Sequence, residues 1–240
     1  MKTLVTAGCS FTKDNYQQTW ADYLANSIGY TLNNVAARGA GIEFVSKRIM
    51  YECLIHHTDL AVVMLPSIDR FDWYIDRQHP WHNSGLSIAS WQDGKESNLV
   101  QLDGTLSQES GYILSGGEVR GHKQQWYKFY YNESSALVNY WTTVYNLENF
   151  FKIQNIRYYF TTAYNRNHLV EQATNITGHT TQHEFLFHAI DWSRFIFYNT
   201  DQGFLSFTKD YKFDIINNHP VTQAHQTWVD SIILPAINEN

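Results

Sequence analysis

Residues 59 to 65 read DLAVVML, an unbroken apolar run after its first residue. A strand wetted on one face alternates apolar and polar side chains, whereas a strand covered on both faces has no reason to. This run therefore predicts a central strand with a layer packed on each side. Two shorter strand candidates precede it, residues 3 to 7 (TLVTA) and 31 to 36 (TLNNVA). Helix-spaced apolar residues follow each of them. From about Tyr16 they are Trp20, Tyr23, Leu24 and Ile28; within Ile42 to Ile55 they are Phe44, Val45, Ile49 and Cys53. Strands alternating with helices predict a parallel sheet joined by right-handed crossovers.

From Pro66 to about Asn132 this alternation gives way to Gly, Ser, Asn and Trp, with short alternating runs such as SNLVQLDG. A structureless loop of that length does not suit a compact domain, so hairpins are expected there, forming a lid or binding surface. Regularity returns with a helix near Ser134 to Gln154 and a strand at 156 to 163. Residues 164 to 213 are mixed, with a short helix at 182 to 190, and a last helix after Pro220 carries Trp228, Ile232 and Ile233. With 240 residues and no internal repeat, the expectation is one domain over 1 to 240, a three-layer α/β/α sandwich with an insertion at about 70 to 132.

Composition narrows the function classes. A net charge of −6 without any local Lys/Arg run gives no electrostatic footprint for nucleic acid. No window approaches the ~20 consecutive apolar residues of a spanning helix, so no membrane partner is expected. Cys9 and Cys53 cannot make a disulfide framework and read as small buried hydrophobes in a reducing compartment. Thr6-Ala7-Gly8-Cys9 looks like a lipoprotein processing site, but only Leu4 and Val5 precede it as strongly apolar residues, too few for a signal peptide.

In parallel sheets, functional groups collect at the carboxyl ends of strands. Gly8-Cys9-Ser10-Phe11-Thr12 follows the first strand, Gly39 within NVAARGAG follows the second, and Pro66-Ser67-Ile68-Asp69-Arg70 follows the third. His219 lies in NNHP just before the last helix. A serine at a strand-to-helix turn, a glycine whose N–H can approach a ligand and a late histidine are the parts of an acyl-transfer site. Taken by themselves, Ser10 also fits a helix-capping or turn hydroxyl and His219 a helix cap.

In order and spacing these blocks resemble the SGNH (GDSL-like) hydrolase superfamily. The pattern is most similar to a divergent branch common in phage and marine bacterial sequences, which opens with G-C-S-F-T, has a tryptophan such as Trp20, and ends with H-P and a further histidine such as His225. The resemblance implies a flavodoxin-like parallel sheet, Ser10 as nucleophile, Gly39 in the oxyanion hole and His219 as general base, with no cofactor. It implies a small-molecule or carbohydrate ester substrate, an O-acetyl group for example. With no signal peptide or spanning segment in the sequence, a cytoplasmic or virion-associated protein is expected.

Two blocks depart from the family pattern. The orienting acid belongs three residues before the histidine, or two in the D-x-H-P branch, where this chain has Ile216 and Asn217. Asn217 can accept a hydrogen bond from the imidazole Nδ1–H but carries no charge; in a serine protease, an amide in place of the acid costs about 10⁴ in kcat. Asp214 is the substitute carboxylate, or else a solvated loop residue. In the third block the family has G-x-N-D, whose asparagine donates to the oxyanion. An ionised Asp69 there can only accept, and losing one oxyanion donor costs roughly 2.7 to 4 kcal/mol. Ser67 or Arg70 can supply a donor instead; Arg70 can also grip an anionic ligand group or pair with Asp69 or Asp72.

The remaining histidines offer no metal site. His56 and His57 are adjacent and point about 100° apart on a helix, and His179, His183 and His188 lack the order of a zinc protease. Gly116-Gly117 lacks a phosphate-binding lysine pattern. Three functions fit: a serine esterase or O-deacetylase, an acyltransferase on the same site, and a non-catalytic module binding glycan or protein. Trp73, Trp81, Trp91 and Trp126 in the insertion fit stacking on sugars or local core.

Overall fold

The computed structural model describes residues 1–13, 17–79, 99–114, 122–164 and 182–239. Trp81, Trp91, Gly116, Gly117 and His179 lie outside the described residues, as does the side chain of His183. The central sheet has five parallel strands. They are β1 (Thr3–Ala7), β2 (Thr31–Asn34), β3 (Leu60–Leu65), a strand at Arg157–Thr162 and a two-residue strand at Phe195–Ile196, in the spatial order second, first, third, fourth, fifth. The chain steps from β1 to β2 on one side and then returns past β1 to β3. The carboxyl ends of β1 and β3 therefore flank the point where strand order reverses, the place where open α/β sheets bind ligands.

The apolar run of β3 divides between two layers. Ala61, Val63 and Leu65 join Val5, Ala7 and Phe160 beneath α2 (Ile42–Ile55) and a long helix at Glu133–Ile153, through Phe44, Ile49, Trp141, Val144 and Phe151. Leu60, Val62 and Met64 join Leu4 and Tyr159 on the other side. There Trp20 and Leu24 of α1 (Trp20–Ile28), Phe204 and Phe207 of Phe204–Asp210, and Trp228 of Thr222–Trp228 complete the layer. All six residues of β3 are buried, and that double coverage explains why the run lacks alternation. The fold is thus the three-layer α/β/α arrangement around a parallel sheet.

The stretch after β3 has a sheet of its own. Asp72–Asp76, Leu99–Val100, Leu106–Ser107 and Ser110–Leu114 form four antiparallel strands. One face buries Ile75, Leu99 and Ile113; Val100, Tyr112 and Leu114 enter the same core as α2. Asp72 ties this sheet to the main one: its carboxylate accepts from the N–H groups of Gly41 and Phe44, each at 2.9 Å, at the start of α2. Burial pushes the Asp72 carboxyl up to about 7, with the two N–H groups opposing that rise.

Three elements differ from the sequence expectation. The last helix is not continuous: it passes through a wide π turn at Val229–Ile233 before Leu234–Asn238. Pro235 accounts for this, because it has no N–H for the helical ladder and its ring crowds the preceding turn. The fifth strand and the hairpin of Ile215–Ile216 with His219–Pro220 are two residues per strand, too short for any period to register.

Candidate functional site

A cleft of about 560 Å³ lies where the carboxyl-end loops converge. Ser10 and Phe11 come from the loop after β1, Arg38 and Gly39 from that after β2, Arg70 from that after β3, and Tyr164 from that after Arg157–Thr162. Leu205, Lys209 and the Ile215–Pro220 hairpin close the remaining side.

The loop after β1 is held by its buried end. Thr12 N–H and Lys13 N–H both donate to the Cys9 carbonyl, at 2.9 and 3.2 Å. The Thr12 carbonyl accepts from Thr19 Oγ1 at 2.8 Å and from Asn34 Nδ2 at 2.7 Å, and Thr12 Oγ1 accepts from Trp20 Nε1 at 3.3 Å. Gly8 is required for this fold-back, since a Cβ there would lie 2.3 Å from Thr12 Oγ1 and 2.9 Å from the Met64 carbonyl. Cys9 points into the core, fully buried, while Ser10 is partly exposed on the cleft. The adjacent cysteine and serine are thus separated by the turn into packing and site.

Gly39 is buried, with φ +78°, at the third position of a turn in which Ala40 N–H donates to the Ala37 carbonyl at 3.2 Å. A left-handed residue at that position is what a type II turn asks of glycine. Among the described residues, neither the Ser10 nor the Gly39 N–H donates a hydrogen bond. Unpaired N–H groups are rare in folded chains, and two on one cleft form a donor pair for an incoming oxygen.

His219 is placed by its hairpin. Asn217 and Asn218 occupy the two-residue loop with φ +50° and +63°, the pattern of a type I′ turn, which asparagine tolerates better than most residues. This turn brings the main-chain carbonyl of Asn217 to 2.8 Å from His219 Nδ1. A carbonyl can only accept, so Nδ1 carries a proton, and in the neutral form of the ring Nε2 keeps its lone pair. The Phe11 ring packs edge-on against the imidazole, centroids 5.5 Å apart at 89°. Gln17 braces the hairpin, donating to the Pro220 carbonyl at 3.0 Å and accepting from Thr222 Oγ1 at 2.9 Å. Ser10 and His219 share the cleft, and no hydrogen bond joins their side chains, a looseness common in unliganded sites.

Several sequence expectations are corrected here. The group that accepts from His219 is the Asn217 main chain, not its side-chain amide. Asp214 is exposed and does not line the cleft; its carbonyl accepts from Val221 N–H at 3.2 Å. Ser67 and Asp69 also lie off the cleft, because the chain turns after Pro66 and presents Arg70 instead. Asp69 keeps one buried oxygen without a hydrogen bond among the described residues, while its carbonyl accepts from the Tyr127 hydroxyl. Arg70 forms no ion pair with Asp69 or Asp72 among the described residues. It donates to the Ala40 carbonyl at 3.1 Å and lies against the Cys9 thiol and the Tyr164 hydroxyl. Burial raises the Tyr164 phenol above its usual range and Arg70 opposes the rise.

Trp20 and His225, the accessory residues of the resemblance, have structural work: His225 is buried and its Nδ1 accepts from the Trp20 N–H at 3.2 Å, capping α1. His56 and His57 lie against Glu52 and Asp59, each at 3.3 Å. Among the described residues no group of three or more His, Cys, Asp and Glu side chains could hold a metal, and no helix is long and apolar enough to cross a membrane. Sequence reasoning missed Tyr164, although the rule that selected the other loops applies to it, since it follows a strand directly. The same rule covers Arg38, beside Gly39 in the loop after β2, whereas Lys209, at the end of a helix, carried no such signal.

No protein-family model matches the chain, and no curated protein matches it significantly. Solved structures match at low identity. An acetylxylan esterase from Geobacillus stearothermophilus, in a catalytic-mutant form, is 12% identical with a TM-score of 0.46, over 98% of this chain and 94% of that one. An acetyl xylan esterase from the rumen bacterium Butyrivibrio proteoclasticus is 12% identical with a TM-score of 0.45, over 99% of this chain and 64% of that one. A G-D-S-L family protein from Desulfitobacterium hafniense is 8% identical with a TM-score of 0.43, over 96% and 97% of the two chains. At that level of likeness residue roles do not transfer, and the chemistry of the cleft rests on its own side chains.

Proposed function

We propose that this chain is a serine hydrolase of carboxylic esters, with an SGNH-type site in which a main-chain carbonyl stands in for the orienting acid. The observation that carries the reading is the convergence of Ser10, Gly39 and His219, from three distant segments, on one cleft at the strand-order reversal. Neutral His219 takes the Ser10 proton at Nε2 as Oγ bonds to the acyl carbon, and the carbonyl oxygen becomes an oxyanion held by the Ser10 and Gly39 N–H groups. The imidazolium returns the proton to the departing alkoxide, releasing alcohol and leaving an acyl-enzyme. Water then attacks with His219 again as base, freeing the acid and Ser10. Arg70 adds positive charge to the same cleft where the family places its asparagine.

The Asn217 carbonyl accounts for how this site tolerates the missing acid. An amide in place of the acid fails in serine proteases because it allows the wrong imidazole tautomer; a carbonyl, with no hydrogen to offer, selects the right one. It supplies a dipole rather than a full charge to the imidazolium, so turnover slower than in carboxylate-bearing relatives is expected.

The test is labelling with a fluorophosphonate and turnover of 4-nitrophenyl acetate, beside a Ser10→Ala control. Labelling confined to the wild type, and a fall in kcat of about 10⁴ or more in the control, are expected. Labelling that persists in Ser10→Ala removes the nucleophile. No labelling of either protein makes the chain a binding module.

A further inference from the structure

The cleft holds more positive charge than ester cleavage needs. Beside Arg70 it is lined by Arg38, half-buried, and Lys209, exposed, and among the described residues no Asp or Glu lines it. This local excess runs against the whole chain, where 23 acidic residues outnumber 17 basic ones. Neither Arg38 nor Lys209 forms an ion pair among the described residues, whereas Lys47, Arg77 and Arg194 pair with Glu43, Glu109 and Asp191. An unpaired lysine on an open surface is ordinary. Cations gathered around one cleft repel each other, and a concave site focuses their field on whatever enters.

Arg38 also lines a second cavity, of about 220 Å³, with Lys13 and Arg48 and again no carboxylate in the lining among the described residues. Arg48 is satisfied there by Glu52 at 3.6 Å and by the Leu102 carbonyl. Lys13 and Arg38 have no such partner among the described residues, so unpaired cations lie on both sides of the Arg38 position. These charges come from the loop after β1, the loop after β2 and the Phe204–Asp210 helix, which only the folded sheet brings together.

We infer that the ester cleaved in this cleft is anionic, with a carboxylate or phosphate on its alcohol portion held between Arg38 and Lys209; the inference rests on Ser10 as nucleophile. The planar guanidinium of Arg38 suits a two-oxygen anion, and the Lys209 ammonium adds a point charge. Arg70 is engaged by the Ala40 carbonyl and is not assigned to this subsite.

The full chain carrying Ser10→Ala allows binding to be measured without turnover. Trigalacturonate and glucose 6-phosphate are titrated at low salt, with xylotriose as the neutral probe. At least one anion is expected to bind about tenfold or more tighter than xylotriose, and to lose about tenfold on adding Arg38→Gln with Lys209→Gln. Tighter binding of trigalacturonate assigns a carboxylate, tighter binding of the sugar phosphate a phosphate. In the wild-type background the same pair of substitutions is expected to lower the kcat/KM ratio of O-acetylated trigalacturonate over acetylated xylotriose, through KM. Equal affinity for neutral and anionic probes, no binding of either anion, or an affinity unmoved by the substitutions overturns the subsite. Anion binding that survives in a chain whose wild type cleaves no ester leaves the subsite standing and removes the hydrolase reading instead.

Discussion

Two cavities meet at Arg70 and are built in opposite ways. The larger cleft draws its lining from loops after four strands and from a hairpin, and among the described residues its polar groups are left open: the Ser10 hydroxyl, two N–H groups and unpaired cations. The smaller, about 190 Å³, is lined by Phe71, Trp73, Trp126, Tyr130 and Tyr131 from the insertion and its flank. There the rings satisfy one another: Phe71 and Trp126 have centroids 4.1 Å apart, and Trp126 packs on Tyr127 and Tyr131 at 5.0 and 5.5 Å. The region densest in aromatics is therefore occupied by ring packing. The proposed site lies where composition is unremarked, because a site needs groups left unpaired and a core needs them paired.

The largest expected effect tests the open cleft. His219→Gln should lower kcat on 4-nitrophenyl acetate by about 10³ to 10⁴ while the melting temperature barely moves, since the partly exposed ring makes one main-chain contact. A fall of less than about tenfold would make the cleft no more catalytic than its neighbour. Next, Trp126→Ala should remove about 2 kcal/mol of stability, measured by urea unfolding, with kcat/KM of the folded protein changed less than about threefold. A large loss in KM without a loss of stability would turn the aromatic cavity into a substrate surface.

The effect that is smallest at neutral pH probes the link between the two. Asp72 lines the aromatic cavity and caps α2 just beyond Gly39. Its folded pKa, about 7, lies above the ordinary 3.8, so the native state binds more protons than the unfolded one between those values. This contribution to stability is complete below pH ~4 and is lost as pH rises through ~7. Asp72→Asn should cost little at pH 7 relative to its cost at pH 4, the wild-type-minus-variant difference shrinking by about 3 kcal/mol in paired thermal melts. A difference that grows with pH would mean the carboxylate is the stabilised form.

Much of the layer structure was legible. The strands β1, β2 and β3, the helices after the first two, and the Glu133–Ile153 helix appear close to their expected bounds, because burial on one or two faces imposes a period on neighbouring residues. The two-residue strands were not legible, since two residues carry no period. Within the candidate site, Ser10 and Gly39 were placed by the strands that precede them, and His219 by the helix that follows it. Asp69, Ser67 and Asp214 were proposed by position within blocks, and the backbone path after Pro66 and after Lys212, which has φ +56°, carries them off the cleft.

By itself the sequence determined that β3 is covered on both faces, that Ser10 sits on a turn and that no run of cations exists, all properties of residues near one another in the chain. Tertiary structure alone decided the rest. The acceptor for His219 is a main-chain carbonyl, present in every residue and so invisible in residue type, and it is aimed by two left-handed asparagines. The charge of the cleft is a sum over Arg38, Arg70 and Lys209, distant in sequence, which strand order and helix packing bring to one cleft. Periodicity reads local burial; hydrogen bonds through the main chain and fields summed over distant charges exist only once the chain has closed on itself.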